Sequence, residues 1–143
     1  MYREVKEGRS FIGRFQTGED LLSALTAFCK KHRIRMGVFR VIGAVRNAAL
    51  GYYNQDIRKY AECIRLDKKM EIISCNGNVS IKDHEIFIHA HISMADHDGK
   101  VLGGHLMNGT EIFAAEFYIE ELFGRDLVRE ENDPQTGLPL WQK

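Results

Sequence analysis

Three histidines carry the strongest chemical signal in this sequence. His89 and His91 stand two residues apart in an apolar run, 86–94, that is typical of a β-strand. Alternate residues of a strand face the same side, so these two imidazoles are expected on one face, roughly 7 Å apart along the chain. His105 follows in a second predicted strand, 100–106. The three side chains would therefore meet if the two strands pair as a hairpin in a suitable register.

The link between the two strands decides that register. A three-residue loop, 97–99, would place Gly99 at the left-handed position that a hairpin with a glycine bulge requires. His91 then pairs with His105, and their Cβ atoms would be about 4.5–5.5 Å apart. A two-residue loop would instead pair His91 with Leu106 and turn His105 to the other face. The position of Gly99 favours the first register.

Such a cluster indicates metal binding, because neutral imidazole is a common nitrogen ligand of zinc-like ions. The competing interpretation is that these are hydrogen-bonded structural or surface histidines. We predict a divalent metal, zinc first, on His89, His91 and His105. The remaining histidines are predicted at the surface: His32, His84 and His97.

A zinc-dependent enzyme of the hydrolase type is the alternative hypothesis. Three protein ligands leave a position open on zinc, where bound water can lose a proton near pH 7. Such chemistry also needs a general acid or base beside the ion. Glu116, on a strand that could neighbour the hairpin, is the first candidate, and Glu111 and Asp96 are weaker ones. An ordinary ion pair is the favoured interpretation of Glu116, and no motif identifies a substrate.

Composition limits the class of protein. The chain has 143 residues, 44% of them hydrophobic and 28% charged, which is typical of one globular domain. Its 20 basic and 20 acidic side chains give zero net charge, which argues against a large electrostatic attraction to nucleic acid or anionic membrane. The start lacks the apolar stretch of a signal peptide, and no run is long enough to span a membrane. With free thiols predicted at Cys29, Cys63 and Cys75, we expect a cytoplasmic protein.

The pattern of apolar residues predicts one helix among many strands. The helix is expected to start at an N-cap, Thr17, and to end near His32. Asn76 and Gly77 form a strong turn pair that is expected to end a strand, 70–75. Further strands are predicted at 10–15, 36–45, 49–54, 60–66, 79–81 and 114–122. The fold class is therefore α+β, dominated by antiparallel strands with one helix on a sheet face.

The C-terminal region has a different character. It is charged and then contains both prolines of the chain, so we predict a domain over 1–124 and an irregular tail over 125–143 that is not a strand of the sheet. Trp141 is too apolar for a solvated end. It is expected to pack back on the domain or on a neighbouring subunit.

Several segments together also carry a family resemblance. In chain order they are 41–45 (VIGAV), 50–54 (LGYYN), 71–74 (EIIS), 77–80 (GNVS), 89–91 (HAH), 98–99 (DG) and 103–106 (GGHL). As an ordered set they are specific. Over roughly residues 8 to 122 the chain resembles a stand-alone PPC domain (plants and prokaryotes conserved) of the bacterial and archaeal type.

The resemblance implies a strongly bent, mainly antiparallel sheet with one principal helix packed on it, and a homotrimeric assembly. It also implies a metal, zinc first, on His89, His91 and His105. Plant relatives join the domain to AT-hook segments that bind A·T-rich minor grooves, and prokaryotic relatives are therefore often described as DNA-binding. The Arg-Gly-Arg core of an AT-hook is absent from this sequence. A DNA-binding or regulatory role would therefore rest on the domain itself or on a partner.

Overall fold

The computed structural model describes residues 2–60 and 64–141, which form one helix and eleven strands. In chain order the elements are β1 (Lys6–Phe15), α1 (Leu21–His32), β2 (Gly37–Val45), β3 (Ala48–Gly51), β4 (Tyr53–Asn54), β5 (Lys59–Tyr60), β6 (Ile64–Leu66), β7 (Met70–Lys82), β8 (Glu85–Ala95), β9 (Val101–Leu106), β10 (Ile112–Phe123) and β11 (Val128–Arg129). Cys63, one of the three predicted free thiols, lies outside the described residues.

One bent sheet forms most of the molecule. Its strands follow the order β1-β10-β2-β7-β8-β9-β3-β6, and each neighbouring pair is antiparallel. Irregularities in the pairing of β1, β2, β7 and β10 bend these strands, and β1 and β6 remain open edges of the sheet. The short strands β4 and β5 pair separately. A mainly antiparallel α+β fold with one helix in the described ranges is therefore confirmed.

The helix covers one face of the sheet. Four residues of α1 are buried, and they join a core of aliphatic and aromatic side chains from β2, β7, β8 and β10. The helix residues are Leu21, Ala24, Leu25 and Cys29. Cys29 and Cys75 are buried free thiols, and burial raises the pKa of each to about 12. Both are therefore held in the unreactive thiol form.

The N-cap of the helix is Asp20 and not Thr17, so the predicted N-cap is wrong. One carboxylate oxygen of Asp20 accepts a hydrogen bond from the N–H of Ser23 at 2.8 Å. The other accepts from the N–H of Thr110 at 3.0 Å, which joins the helix start to the segment before β10. The Thr17 hydroxyl instead donates to the carbonyl of Phe113. A contact with a distant segment therefore determines which residue caps the helix, and the local spacing of residues does not show this contact.

Strand β7 runs through the predicted turn at Asn76 and Gly77 without a break, so that prediction is wrong. A Cβ atom at Gly77 would lie 2.3 Å from the carbonyl oxygen of His89 and 2.4 Å from the ring of Phe39. Glycine is needed here for the close approach of neighbouring groups. The chain reverses at Asp83 and His84, which have φ angles of 51° and 65°.

The C-terminal segment, residues 124–141, is part of the structure around the sheet. Val128 and Arg129 pair in parallel with Ile81 and Lys82 of β7, so the prediction that no strand of the sheet lies here is wrong. The remainder of the segment is irregular, as predicted, and it contacts the domain where Tyr53 Oη donates a hydrogen bond to the carbonyl of Thr136. The guanidinium of Arg129 lies 5.2 Å from the ring centre of Trp141. No helix in the described ranges is long and apolar enough to cross a membrane.

Candidate metal centre

The hairpin of β8 and β9 has the predicted register. His91 pairs with His105, and the loop is closed by a hydrogen bond of 3.1 Å from the N–H of Asp96 to the carbonyl of Lys100. Gly99 adopts the left-handed conformation, with φ 76°. The three-residue loop is thus confirmed, and it places His105 on the face that carries His91.

The carboxylate of Asp96 holds this loop in place. Its Oδ1 accepts hydrogen bonds from the N–H groups of Asp98 and Lys100, at 3.1 and 2.9 Å. Its Oδ2 accepts from Nζ of Lys68 at 2.8 Å. The Lys68 bond and then the Lys100 N–H lower the pKa of Asp96 to about 2. Asp96 is therefore engaged in the turn and is not placed as a general base for the histidines.

The three histidines converge. The ring centres are separated by 5.2 Å for His89 and His91, 5.1 Å for His89 and His105, and 5.4 Å for His91 and His105. One ring nitrogen from each residue can be chosen so that all three lie within 4.8 Å of one another. His89 and His105 are half-buried, and His91 is exposed. This geometry allows one ion to contact all three side chains.

The surroundings favour neutral imidazoles. Burial, followed by the charges of His105, Arg129 and His91, lowers the pKa of His89 to about 4. Burial and the charge of His91 also lower the pKa of His105. Only a neutral imidazole has a lone pair for a metal. The two half-buried side chains are therefore held in the protonation state that a ligand needs.

One atom of the cluster lacks a partner. Nδ1 of His105 is buried and has no hydrogen bond to any described residue. Buried polar atoms are nearly always paired, and an unpaired one in a native structure is commonly explained by an ion or water. The His105 ring also contacts Tyr60, with ring centres 5.2 Å apart. The orphaned nitrogen and the all-nitrogen donor set fit a zinc-like cation.

A cavity of about 750 Å³ opens beside the triad, and we call it the histidine cavity. Its floor is the histidine-bearing face of β8 and β9. One wall is the β4–β5 hairpin and the other is the C-terminal segment. The two walls are joined where Tyr53 Oη donates to the carbonyl of Thr136 at 2.6 Å and Arg58 Nη1 donates to the carbonyl of Pro134 at 2.9 Å. Residues 125–141 thus help to build the candidate site.

Arg129 is the main polar residue that sequence reasoning missed. It is 7% exposed and lines the histidine cavity. Its Nε donates to Oγ of Ser80 at 3.0 Å, and its Nη2 donates to Oδ1 of Asn78 at 3.3 Å. Asn78 pairs with His89 across the β7–β8 ladder, so both groups lie on one face. The pairing of Asn78 with His89 is needed to see that Arg129 lies beside the histidines, because nothing in the local sequence around Arg129 indicates it.

The structure brings neither Glu116 nor Glu111 to the triad. Glu116 lies on β10, which neighbours β1 and β2 and not the hairpin. Two strands separate β10 from β8, so at about 4.8 Å per step the distance across the sheet is roughly 14 Å. Glu111 accepts a hydrogen bond from Arg46 at 2.8 Å. Among the described residues that line the histidine cavity there is no carboxylate.

The other histidines lie outside the cluster. His84 and His97 are exposed, as predicted. His32 is half-buried, because its ring packs against Phe28 and Phe11 with ring centres 4.4 and 5.0 Å apart. The surface prediction for His32 is therefore wrong. The basic residues at the helix end suggested a solvated surface, but the ring belongs to an aromatic cluster formed with β1.

Two archaeal proteins resemble this chain over its whole length. A metal-containing protein of Archaeoglobus fulgidus is 38% identical, with a TM-score of 0.94, and the match covers 100% of this chain and 99% of that one. A plant- and prokaryote-conserved (PPC) protein of Pyrococcus horikoshii is 37% identical, with a TM-score of 0.90 and coverage of 100% and 97%.

More distant relatives carry other descriptions. A proposed DNA-binding protein of Bacteroides thetaiotaomicron is 26% identical, with a TM-score of 0.84 and 96% coverage of both chains. The bifunctional protein GlmU of a Synechococcus strain is 28% identical over 126 residues, which are 87% of this chain. This chain spans only 19% of that curated relative.

The family itself is shown by a match over most of the chain. Residues 2–123 match the Plants and Prokaryotes Conserved (PCC) domain, which is the same family as the PPC domain of the resemblance. The matched part contains the whole sheet except β11, together with the three histidines and the loop that sets their register. This chain therefore belongs to the Plants and Prokaryotes Conserved domain family.

Proposed function

We propose that this protein binds one divalent metal ion, zinc first, through His89, His91 and His105, and that it acts as a metal-dependent ligand-binding or regulatory protein. The observation that carries the proposal is the convergence of three imidazoles, one of which, His105, has a buried Nδ1 without a described hydrogen-bond partner. Neutral nitrogen donors suit zinc, whereas magnesium and calcium prefer oxygen ligands. The relative in Archaeoglobus fulgidus, described as metal-containing, supports the same interpretation.

Elemental analysis tests this proposal. Protein without a tag is stripped of metal, incubated with zinc, and freed of unbound ions before the zinc content is measured. We expect about one zinc per chain in the parent and little in His105→Ala, since two imidazoles rarely hold zinc tightly. His97→Ala is the control, because His97 is exposed in the hairpin loop and belongs, with Asp96 and Asp98, to the other described group that could hold an ion. Loss of zinc from His97→Ala with zinc retained in His105→Ala would place the ion in that other group. Equal zinc in all three proteins, or none in the parent, would contradict the proposal.

A zinc hydrolase is a second candidate, favoured by the cavity beside the triad. Three ligands leave a position on zinc for water, and the cavity could admit a substrate. The described lining offers no carboxylate as general acid or base, so we rank this function below ligand binding. Zinc-dependent hydrolysis of ester or phosphoester probes, lost in His105→Ala and retained in His97→Ala, would raise it to first place.

We also propose a homotrimer. Support comes from the sheet face opposite the helix, where Ile12 is 87% exposed and Ile42 is 55% exposed. Both contribute to one groove on β1, β10 and β2, in which Tyr118 pairs with Ile12. Exposed apolar groups gathered in this way are typical of interaction sites. Sedimentation at three times the 16.4 kDa chain mass is expected, and Ile42→Lys should shift it towards the monomer.

DNA binding is supported only by the descriptions of relatives such as the Bacteroides protein. Zero net charge gives little electrostatic attraction to phosphate. We therefore propose that any regulatory role depends on a bound ligand or a protein partner, in the cytoplasm. The buried thiols Cys29 and Cys75 agree with a reducing compartment. Salt-dependent retention on a DNA column by the zinc-loaded protein would favour direct DNA binding instead.

A further inference from the structure

The histidine cavity contains a buried positive charge to which the described residues offer no negative partner. Arg129 is 7% exposed, and its described hydrogen bonds all go to neutral oxygens, those of Ser80, Asn78 and Pro139. Among the described residues no carboxylate forms an ion pair with it. Buried charges are normally paired, because an unpaired one loses its hydration without compensation. A guanidinium in this position therefore indicates that an anion completes the site.

The guanidinium is also held in a fixed orientation. Its carbon lies 5.6 Å from the ring centre of Phe87 and 5.2 Å from that of Trp141. Aromatic contacts of this kind favour a cation and restrict how its plane can turn. The three described hydrogen bonds use three of its five N–H groups, one on each nitrogen. One N–H on each terminal nitrogen has no acceptor among the described residues, and an arginine can hold a carboxylate or phosphate with one N–H from each of these two nitrogens.

The remainder of the cavity points to the same ligand class. Three neutral imidazoles leave the full double charge on a bound divalent ion, and zinc with three ligands keeps an open position. Arg129 and the triad line one cavity of about 750 Å³, whose described lining has no acidic side chain. That volume exceeds the need of a single water or hydroxide and falls in the range of small-molecule sites. With a divalent ion on the triad, the cavity would contain two positive groups and no acidic side chain among its described lining residues.

We propose that the histidine cavity binds a small organic anion, whose carboxylate or phosphate group is held by Arg129 while another part of the molecule reaches the metal. The contact between the ligand and the metal rests on the proposed metal site. The contact between the ligand and Arg129 does not, because the guanidinium can bind an anion with or without the ion. The C-terminal segment thus supplies the selective group. Ligand binding would also fasten this segment over the histidine face.

Succinate is a suitable probe, with neutral succinamide as its control. Binding is followed by calorimetry at constant ionic strength, for both metal-free and zinc-loaded protein. 3-Phosphonopropionate, in which a phosphonate replaces one carboxylate of succinate, is used in a parallel series and distinguishes a preference for phosphate from one for carboxylate. Trp141 is the only tryptophan of the chain and contacts Arg129, so its fluorescence reports binding in the parent without any substitution.

We expect the loaded parent to bind at least one of the two anions and to ignore succinamide. Arg129→Gln should weaken anion binding at least tenfold, since a charge-assisted hydrogen bond to a buried group is lost. Arg125→Gln is the matched control, because Arg125 is an exposed arginine of the same segment outside the cavity lining. Arg129→Lys keeps the charge and serves if Arg129→Gln does not fold. It should bind more weakly than the parent, because it lacks the two-pronged grip.

The outcomes separate the two proposals. Zinc loading without anion binding, or equal binding by the parent, Arg125→Gln and the Arg129 variants, would overturn the anion inference and leave the metal site standing. Failure to load zinc would refute the metal site. In that case Arg129-dependent binding and a Trp141 fluorescence change in the metal-free protein would still support the anion site, and their absence would overturn it.

Discussion

The two faces of the β7–β8 pair differ in chemistry although they share one backbone. The face towards α1 carries buried apolar residues such as Cys75, Val79, Ile88 and Ile92. The opposite face carries Ser80, Asn78 and Asn76 beside Phe87, His89 and His91. Side chains alternate along a strand, so each pair of adjacent residues contributes one member to each face. One face provides stability, and the other is left available for a ligand.

What covers each face explains the difference. Helix α1 packs on the apolar face through four buried residues and closes it against water. The histidine face is covered by the irregular C-terminal segment, which meets it through Arg129 and leaves a cavity. A regular helix excludes solvent by close packing, whereas an irregular segment held by polar contacts leaves room beside it. We therefore expect substitutions on the first face to affect folding and those on the second to affect binding.

The largest effect is expected from adjacent residues on opposite faces. Ile92→Ala should lower the free energy of unfolding of the metal-free protein by about 2–5 kcal/mol, because it leaves a cavity in the core. His91→Ala should change it by no more than about 0.5 kcal/mol, since His91 is exposed. Urea denaturation measures both. Comparable losses from the two variants would remove the distinction between the faces.

Metal should act through the histidine face alone. With free zinc at about a hundred times its dissociation constant, the free energy of unfolding should rise by about 2.7 kcal/mol. Ile92→Ala should gain a similar increment from its lower starting point, whereas His89→Ala should gain almost none. Thermal or urea unfolding with and without zinc gives these values. A full gain in His89→Ala would show that the ion binds elsewhere.

Loosening of the C-terminal cover should give a smaller effect. Tyr53→Phe removes the hydrogen bond of 2.6 Å to the carbonyl of Thr136, which ties the two cavity walls together. The free energy of unfolding should fall by about 0.5–1.5 kcal/mol, which is the usual net contribution of such a hydrogen bond. Hydrogen exchange should show faster opening of residues 132–140, with unchanged protection in α1 and β8. Faster exchange throughout the sheet would mean that the cover and the core unfold together.

The smallest expected effect concerns the loop that sets the histidine register. The pKa of Asp96, lowered to about 2, means that the carboxylate stabilises the folded hairpin above the ordinary pKa of an aspartate. This stabilisation should be lost as the pH falls from about 4 towards 2, where the folded carboxylate takes up its proton. An NMR titration of Asp96 would show the shift, and Lys68→Ala should raise the pKa. A titration midpoint near 4 for Asp96 in the parent would contradict the lowered pKa.

The histidine face was largely predictable from the sequence, and its cover was not. The spacing of His89 and His91 and the left-handed Gly99 determine the register through local rules of hairpins, and the structure confirms it. The position of Arg129 depends on parallel pairing between β11 and the end of β7, two regions far apart in the sequence. Local propensity carries no information about such a contact.

Contacts between distant parts of the sequence also explain why the predicted turn and the predicted helix cap were wrong. Asn76–Gly77 is a strong local turn signal, but the close approach of Phe39 and His89 requires glycine inside a central strand. Asp20, and not Thr17, caps the helix because its carboxylate also accepts a hydrogen bond from the N–H of Thr110. In both cases a residue type with a common local meaning serves a distant contact. Each is visible only once the sheet order is known.

Zinc-edge X-ray absorption of the loaded protein tests the central claim most directly, because it reports the atoms that contact the metal. A site on His89, His91 and His105 predicts three imidazole nitrogens at about 2.0–2.1 Å, with the outer-ring scattering of histidine and an oxygen in the open position. His105→Ala should lose this spectrum, and His97→Ala should keep it. Sulfur scattering near 2.3 Å, or a shell of oxygens without imidazole, would show that the metal is not held by these histidines.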